Sequence, residues 1–300
     1  MSNRHGSIAV LALVLLLSAY ALQPSLATPG NRVTILYDAF GKSPKMKKDW
    51  GYSALVEYGG KRILFDTGNN PETFAHNVKA AGVDLTKVDF VVISHRHLDH
   101  TAGLNYLVSV NPSVTIYAPK EAFGVFGSSL PSKFYRQQAS LPKEMRYFDG
   151  HPEDTLTFGT PWLKGKFVTV DAPLEVVPGV HIISQVSEAI GTKELRELSL
   201  AIETPQGMVV VAGCSHPGIE RIVEAATKID RHVHMVFGGF HLPAAKDDDI
   251  ALIAAALHDT YKVDRVAPGH CTGEPAFYLF KNTWKERYTY AGVGSIIGLP

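Results

Sequence analysis

Four side chains of metal-ligand type fall within six residues of this chain, in the stretch Ser94-His95-Arg96-His97-Leu98-Asp99-His100-Thr101. A lone imidazole or carboxylate is costly to bury, so a cluster this dense makes sense where an ion satisfies several groups at once. The preceding run, Asp89-Phe90-Val91-Val92-Ile93, reads as a strand buried on both faces, and Thr101 to Asn105 reads as the opening of a helix. The histidines therefore stand at the mouth of a strand, where α/β sheets place their chemistry. His95 and His97 can share one ion while Asp99 and His100 diverge towards a second, as a two-metal hydrolytic centre requires. The competing reading is a histidine-rich loop that picks up one adventitious ion.

Length and composition bound the rest. Three hundred residues with 45% hydrophobic content can bury a sizeable core. Residues 1–27 are set apart: Arg4 precedes an almost wholly apolar Ser7 to Leu22, and Ser25-Leu26-Ala27 offers a small-residue cleavage site. This predicts an export signal cut after Ala27, a periplasmic or secreted mature chain over 28–300, and no stable membrane insertion after cleavage. A retained anchor is the alternative, but the apolar run is shorter than the roughly 20 residues that span a bilayer. Lys plus Arg and Asp plus Glu both number 29, which gives no electrostatic footprint for nucleic acid and favours a small-molecule substrate. Cys214 and Cys271 are too few for a disulfide framework, and both stand near histidines, which makes the active site their expected address, with a single bridge between them as the alternative.

Along the chain, Arg32 to Ala39 reads as a strand and Lys42 to Lys48 as a lysine-rich loop, either a solvated surface or a rim attracting an anion. Trp50 to Tyr58 and Lys61 to Phe65 form a hairpin about Gly59-Gly60, ending in Asp66-Thr67-Gly68. A carboxylate at that strand end can accept an N–H from a ligand imidazole and fix its tautomer. Pro71 to Ala81 reads as a helix. From Phe123 to Trp162 periodicity fails amid prolines and aromatics, which makes 123–162 a candidate lid or a packed insertion. The second half repeats the plan of the first. Strands at Val180 to Val186, Leu198 to Glu203, Met208 to Ala212, His232 to Phe237 and Asp264 to Ala267 lead, through glycine-bearing turns, to His216, His241 and His270. Each alone could be a hydrogen-bonded core histidine; their shared strand-end position argues for a common centre.

With Asp66-Thr67-Gly68, His95-x-His97-x-Asp99-His100, His216 and His270 in this order, the chain resembles the metallo-β-lactamase-fold superfamily. Gly213-Cys214-Ser215-His216-Pro217-Gly218-Ile219, Gly238-Gly239-Phe240-His241-Leu242, His270-Cys271-Thr272-Gly273 and Ala291-Gly292-Val293-Gly294-Ser295 resemble its dihydropterin ribofuranosylaminobenzene phosphate synthase-like branch. The resemblance implies an α/β fold, an αββα sandwich of two mixed β-sheets flanked by helices. It also implies His95, His97 and His216 as ligands of one metal, Asp99, His100 and His270 as ligands of the other, and Asp66 as the residue that orients them. Where the commoner hydrolases carry Gly-Asp with a bridging aspartate, this chain has Gly213-Cys214, so Cys214 either replaces the bridge, leaves a weaker second site, or packs inward.

The function expected from these readings is exported metal-dependent hydrolysis of an ester, lactone, phosphodiester or related small substrate by a metal-bound hydroxide. Asp99 would orient the nucleophile, and His241 would bind substrate or donate a proton. Zinc suits imidazole-rich ligation, with one or two ions bound, and manganese or iron as alternatives. Three other functions are weighed against it: a synthase-like activity of the branch, an iron oxidoreductase of the same fold, and a non-catalytic metal-binding protein. The iron enzymes are expected to carry Glu where His97 stands and to append a flavin domain, neither of which is present.

Overall fold

The computed structural model describes residues 30–120, 128–131, 135–158 and 165–300. The signal read at 1–27, and Phe123, Phe126, Phe134 and Trp162 of the candidate lid, lie outside the described residues.

Two β-sheets stack face to face. The first runs, in spatial order, β15 (Ile296–Gly298), β1 (Arg32–Tyr37), β2 (Ser53–Tyr58), β3 (Lys61–Phe65), β4 (Phe90–Val92), β5 (Thr115–Pro119) and β8 (Lys166–Val170). The second runs β14 (Arg265–Gly269), β13 (Val233–Gly239), β12 (Gly207–Ala212), β11 (Arg196–Thr204), β10 (Val180–Val186) and β9 (Leu174–Val177). A separate antiparallel pair joins β6 (Ser128–Pro131) to β7 (Thr155–Phe158). Each main sheet is antiparallel on one side, then turns parallel through β3-β4-β5-β8 or β12-β13-β14. The facing sides interdigitate Val33, Ile35, Val56, Phe65 and Val92 with Leu198, Leu200, Val211 and Phe237, all buried.

Helices cover the outer sides. On the first sheet lie α1 (Pro71–Ala80) and α3 (Leu104–Val110), with Phe74, Val78, Leu104 and Leu107 set against Leu64, Val91 and Ile116. On the second lie α4 (Ile219–Thr227), α5 (Asp247–Ala255) and α6 (Glu274–Trp284), burying Ile222, Val223, Ile250 and Phe280 against Val210 and Val236. Burying such an aliphatic or aromatic side chain contributes about 1.5–3 kcal/mol, so the stripes on both faces of each sheet fix the four layers. The two mixed sheets between helices are the αββα sandwich expected from the resemblance.

Two differences from the sequence reading bear on the site. Helix does not begin at Thr101: a short α2 (Leu98–Thr101) starts inside the histidine stretch, with His97 extended at its cap and Asp99 in its first turn. An acidic side chain is favoured there by the helix dipole. β4 is also shorter than Asp89 to Ile93, because the amide of Ser94 leaves the ladder and donates to Asp66 Oδ1 at 2.7 Å.

Candidate metal centre

The parallel strands deliver every chemical group to one rim. Asp66 follows β3, the histidine stretch follows β4, Cys214 and His216 follow β12, His241 follows β13 and His270 follows β14. Four residues at these ends, Asp66, Ser215, His241 and His270, have left-handed φ of 56°, 66°, 52° and 44°. Each such turn costs on the order of 1–3 kcal/mol and persists only when its surroundings enforce it.

The enforcement comes from buried carboxylates. Glu197 Oε1 accepts the amides of Cys214 and Ser215 at 2.8 and 2.7 Å, and Oε2 accepts that of His216 at 2.7 Å. Asp38 Oδ2 accepts the His270 amide at 2.9 Å, and burial pushes the Asp38 pKa up to about 7. Asp66 Oδ2 accepts from Ser94 Oγ and from His100 Nδ1, both at 2.7 Å. Ser94 Oγ in turn lies 2.8 Å from His95 Nδ1. Since Ser94 donates to Asp66, it accepts from the His95 ring, and one carboxylate fixes the tautomers of two histidines.

The His95 tautomer leaves its Nε2 as a lone pair aimed inward, and with Nδ1 committed to Asp66, Nε2 is the His100 ring atom that faces the cluster. His97 Nδ1 lies 3.0 Å from His95 Nε2 and 3.1 Å from His216 Nε2. His100 Nε2 lies 3.2 Å from His270 Nε2 and 3.2 Å from Cys214 Sγ, and Asp99 Oδ2 lies 3.2 Å from His270 Nε2. An N–H···N hydrogen bond can join any one facing pair, but ring nitrogens grouped this closely also suit a shared cation that several of them can ligate at once. Tetrahedral zinc with bonds of about 2.0–2.1 Å holds its nitrogen ligands about 3.3 Å apart, close to the spacing seen. Two overlapping groups at the centre could hold an ion, Asp99 with His100, Cys214 and His270, and His95 with Cys214 and His216, and a third joins Cys214 to His241 and Cys271.

Electrostatics gives the same answer. Burial, with the neighbouring His100 next, drives the His95 pKa well down, and burial holds His97 at about 4. Both rings are therefore neutral donors at physiological pH. Burial also works against a charge on His100, but the Asp99 and Asp66 carboxylates outweigh it and hold the ring at about 9. The pocket thus calls for positive charge that a metal ion can supply.

The sequence left two orientations open for Cys214. The chain does bend at Ser215, yet Cys214 Sγ remains within ligand range of both groups. His241 is exposed, and its ring centroid lies 4.1 Å from that of His216. Over the rim, Trp50 stacks on Tyr135 at 5.8 Å and meets the Tyr147 ring edge-on at 5.0 Å and the His270 ring at 5.2 Å. Buried Glu274 ties this cover to α6, accepting amides from Gln138 and from Tyr147, the latter at 3.2 Å. The lysine loop is not a free cationic rim throughout: Lys42 pairs with Glu144 and Lys48 with Asp149 of the cover, at 3.4 and 2.5 Å. Asp38, Ser94 and Glu274 were not singled out from the sequence, and Glu197 only through its place near an acidic position of the branch.

The fold and this rim define a two-sheet protein whose strand ends converge on a metal-type pocket. The metallo-beta-lactamase superfamily model matches residues 51–270, and the chain belongs to that superfamily. It is 30% identical to the 7,8-dihydropterin-6-methyl-4-(beta-D-ribofuranosyl)-aminobenzene-5'-phosphate synthase of Methanocaldococcus jannaschii, across 88% of this chain and 95% of that one. Among solved structures it is similar to Tm1679, a metal-dependent hydrolase of the beta-lactamase superfamily, with 25% identity, a TM-score of 0.69, and 90% and 99% of the two chains covered. Zn(2+)-bound PqqB from Methylobacterium extorquens shares the fold at 16% identity and a TM-score of 0.52, over 89% and 100% of the chains.

Proposed function

We propose that this chain is an exported metal-dependent hydrolase of a small ester, lactone, phosphodiester or related substrate. The observation that carries the reading is the convergence of the His95, His97, His100, His216 and His270 ring nitrogens at the strand ends, with the His95 and His100 rings oriented through Ser94 and Asp66. His95, His97 and His216 would hold one ion, and Asp99, His100 and His270 a second, with Cys214 facing both. Zinc suits this donor set best, with manganese or iron as alternatives. Bound there, the metal would supply Lewis acidity for activating a water.

The protein's own groups do the rest. Burial alone would favour a neutral Asp99, but His100 and His270 outweigh it and keep its pKa well below the usual range. The carboxylate is thus available to accept and orient a proton at neutral pH. His241, exposed beside His216, would bind substrate or donate a proton to the leaving group. Trp50, Tyr135 and Tyr147 exclude water from the side of His270.

A panel of chromogenic esters, lactones, phosphodiesters and β-lactams, run on metal-analysed protein with and without chelator, tests this reading. Turnover by protein with no metal above background would sink it, and so would full metal occupancy in His216→Ala. Export rests on residues 1–27 and predicts a new amino terminus near Thr28 in the native protein by mass spectrometry. An intact leader favours an anchor. Among the described residues, no helix is long and apolar enough to cross a membrane. The likeness to the archaeal synthase over most of both chains supports a second reading, a synthase-like activity. Formation of that relative's named product by the purified chain would favour it over hydrolysis.

A further inference from the structure

At the opposite end of the same parallel strands, three residues of ligand type meet on the surface. His232 immediately precedes β13, His234 is its second residue, and Asp264 immediately precedes β14. Residues two apart on a strand point to the same side, so both imidazoles project together while Val233 between them is buried in the core. Asp264 Oδ2 lies 2.8 Å from His232 Nε2 and 3.1 Å from His234 Nδ1. One ligand atom from each residue therefore falls inside a volume that an ion can occupy.

We propose that His232, His234 and Asp264 form a second, independent transition-metal site. Two imidazoles and one carboxylate suit zinc, nickel or copper(II), and the two nitrogen–oxygen spacings of 2.8 and 3.1 Å, with all three ligand atoms within 4.8 Å of one another, come near what bonds of roughly 2.0–2.2 Å require. The site is accessible: the His232, Asp264 and His234 side chains are 50%, 36% and 13% exposed, which leaves a coordination position open to solvent. It is also built in advance. The His232 carbonyl accepts the Met208 amide at 2.8 Å, the Asp264 amide donates to the Val233 carbonyl at 3.2 Å, and the His232 amide donates to Asp230 Oδ1 at 3.0 Å. Gly207, with φ of 110°, leaves space for the His232 ring; a Cβ there would approach His232 Cδ2 to 2.5 Å. Little backbone ordering remains to oppose binding, and an ion would clamp the starts of β13 and β14 together. In the metal-free protein each ring can give its single N–H to the carboxylate. Binding turns those nitrogens into lone-pair donors by moving each neutral ring's N–H to its other nitrogen, and a charged ring would release its extra proton.

The test uses mature protein whose strand-end centre is already loaded, titrated with further zinc and analysed for metal per chain. Wild type is expected to take up one additional equivalent, which Asp264→Asn and His232→Gln each lose while hydrolytic turnover is unchanged. His95→Ala should keep this equivalent even if it empties the main centre, so the two assignments fail separately. A second measurement needs no variant: zinc should reduce carbethoxylation of His232 and His234 several-fold while leaving His258 unchanged. Absence of the additional equivalent from wild type, its retention in either variant, or equal labelling with and without zinc overturns the proposal.

Discussion

Glu197→Gln probes the architecture of the rim directly. The native carboxylate takes two amides on Oε1 and the His216 amide on Oε2, in a position 1% exposed. In the variant the single carbonyl keeps the Cys214 and Ser215 amides only by turning its NH2 group towards the His216 N–H. That exchanges one charge-assisted hydrogen bond for two facing donors, and a buried unsatisfied donor costs about 1–3 kcal/mol. Adding the lost bond gives roughly 2–4 kcal/mol, a large share of a typical stability of about 5–15 kcal/mol. For a domain of this size the melting temperature should fall by roughly 5–15 °C. Glu197→Ala orphans all three amides, about 3–9 kcal/mol by the same count, and is expected to fold poorly.

The loss should also be local in its chemistry. Because the orphaned amide belongs to His216, the ion held with His95 and His97 should be lost first, while that at Asp99, His100 and His270 is retained longer. Thermal melts of metal-free protein give the backbone contribution, and elemental analysis after dialysis against graded chelator gives the order of release. An unchanged melting temperature together with full metal content in Glu197→Gln refutes the clamp. A fall in stability with both ions released in parallel refutes its specific link to His216.

Cys214→Ser is expected to lose about one metal equivalent, since Cys214 Sγ lies within ligand range of both groups; unchanged metal content with slightly lower stability would reduce Cys214 to packing. Gly213→Ala should lower metal affinity and stability together, because a Cβ at Gly213 would stand 2.2 Å from Ser94 Oγ, the atom that links Asp66 to His95; metal titration of a folded variant with unaltered affinity would contradict that link. Burial holds the folded His97 pKa at about 4, below its unfolded value of about 6.5, so the unfolded chain takes up the proton first as pH falls. In metal-free protein this contribution is fully present above about 6.5 and is lost as pH falls towards 4, up to about 3 kcal/mol. Denaturation curves across that window should be steeper in pH for wild type than for His97→Ala, and identical pH slopes would count against it.

The parts of the site legible in the sequence are those whose signal is local. A β-branched run ending in His95-x-His97-x-Asp99-His100 marks a strand mouth because strand burial and ligand spacing are written within a dozen residues. The same holds for Gly213 to Gly218 and His270 to Gly273, where glycines mark the turn that a ligand residue needs. Asp38 and Glu274 carry no such mark. Asp38 serves an amide 232 positions away and Glu274 serves amides 127 and 136 positions away, so only the closed fold gives either carboxylate its partner. Glu197 lies nearer its amides, 17 to 19 positions, but across the β11–β12 hairpin, whose register of Leu200 on Val211 decides that it reaches them.

The lysine loop was open between a solvated surface and an anion-attracting rim, and Lys42, Lys45 and Lys47 are exposed. Four lysines between positions 42 and 48 are an obvious local signal, yet their acidic partners Glu144 and Asp149 sit in a stretch with no periodicity to place it over the rim. Positive charge that appears free along the chain is partly neutralised across the fold. An exposed pair such as Lys42–Glu144 contributes little, about 0–1 kcal/mol, and the packing beneath it is extensive: Tyr135, Leu141, Met145 and Tyr147 pack with Phe40, Trp50 and Phe277. The aromatic content of the stretch, rather than the charge around it, was therefore the signal with the greater weight. It follows that loosening the Trp50 stack should disturb the cover more than removing Lys42 or Lys48.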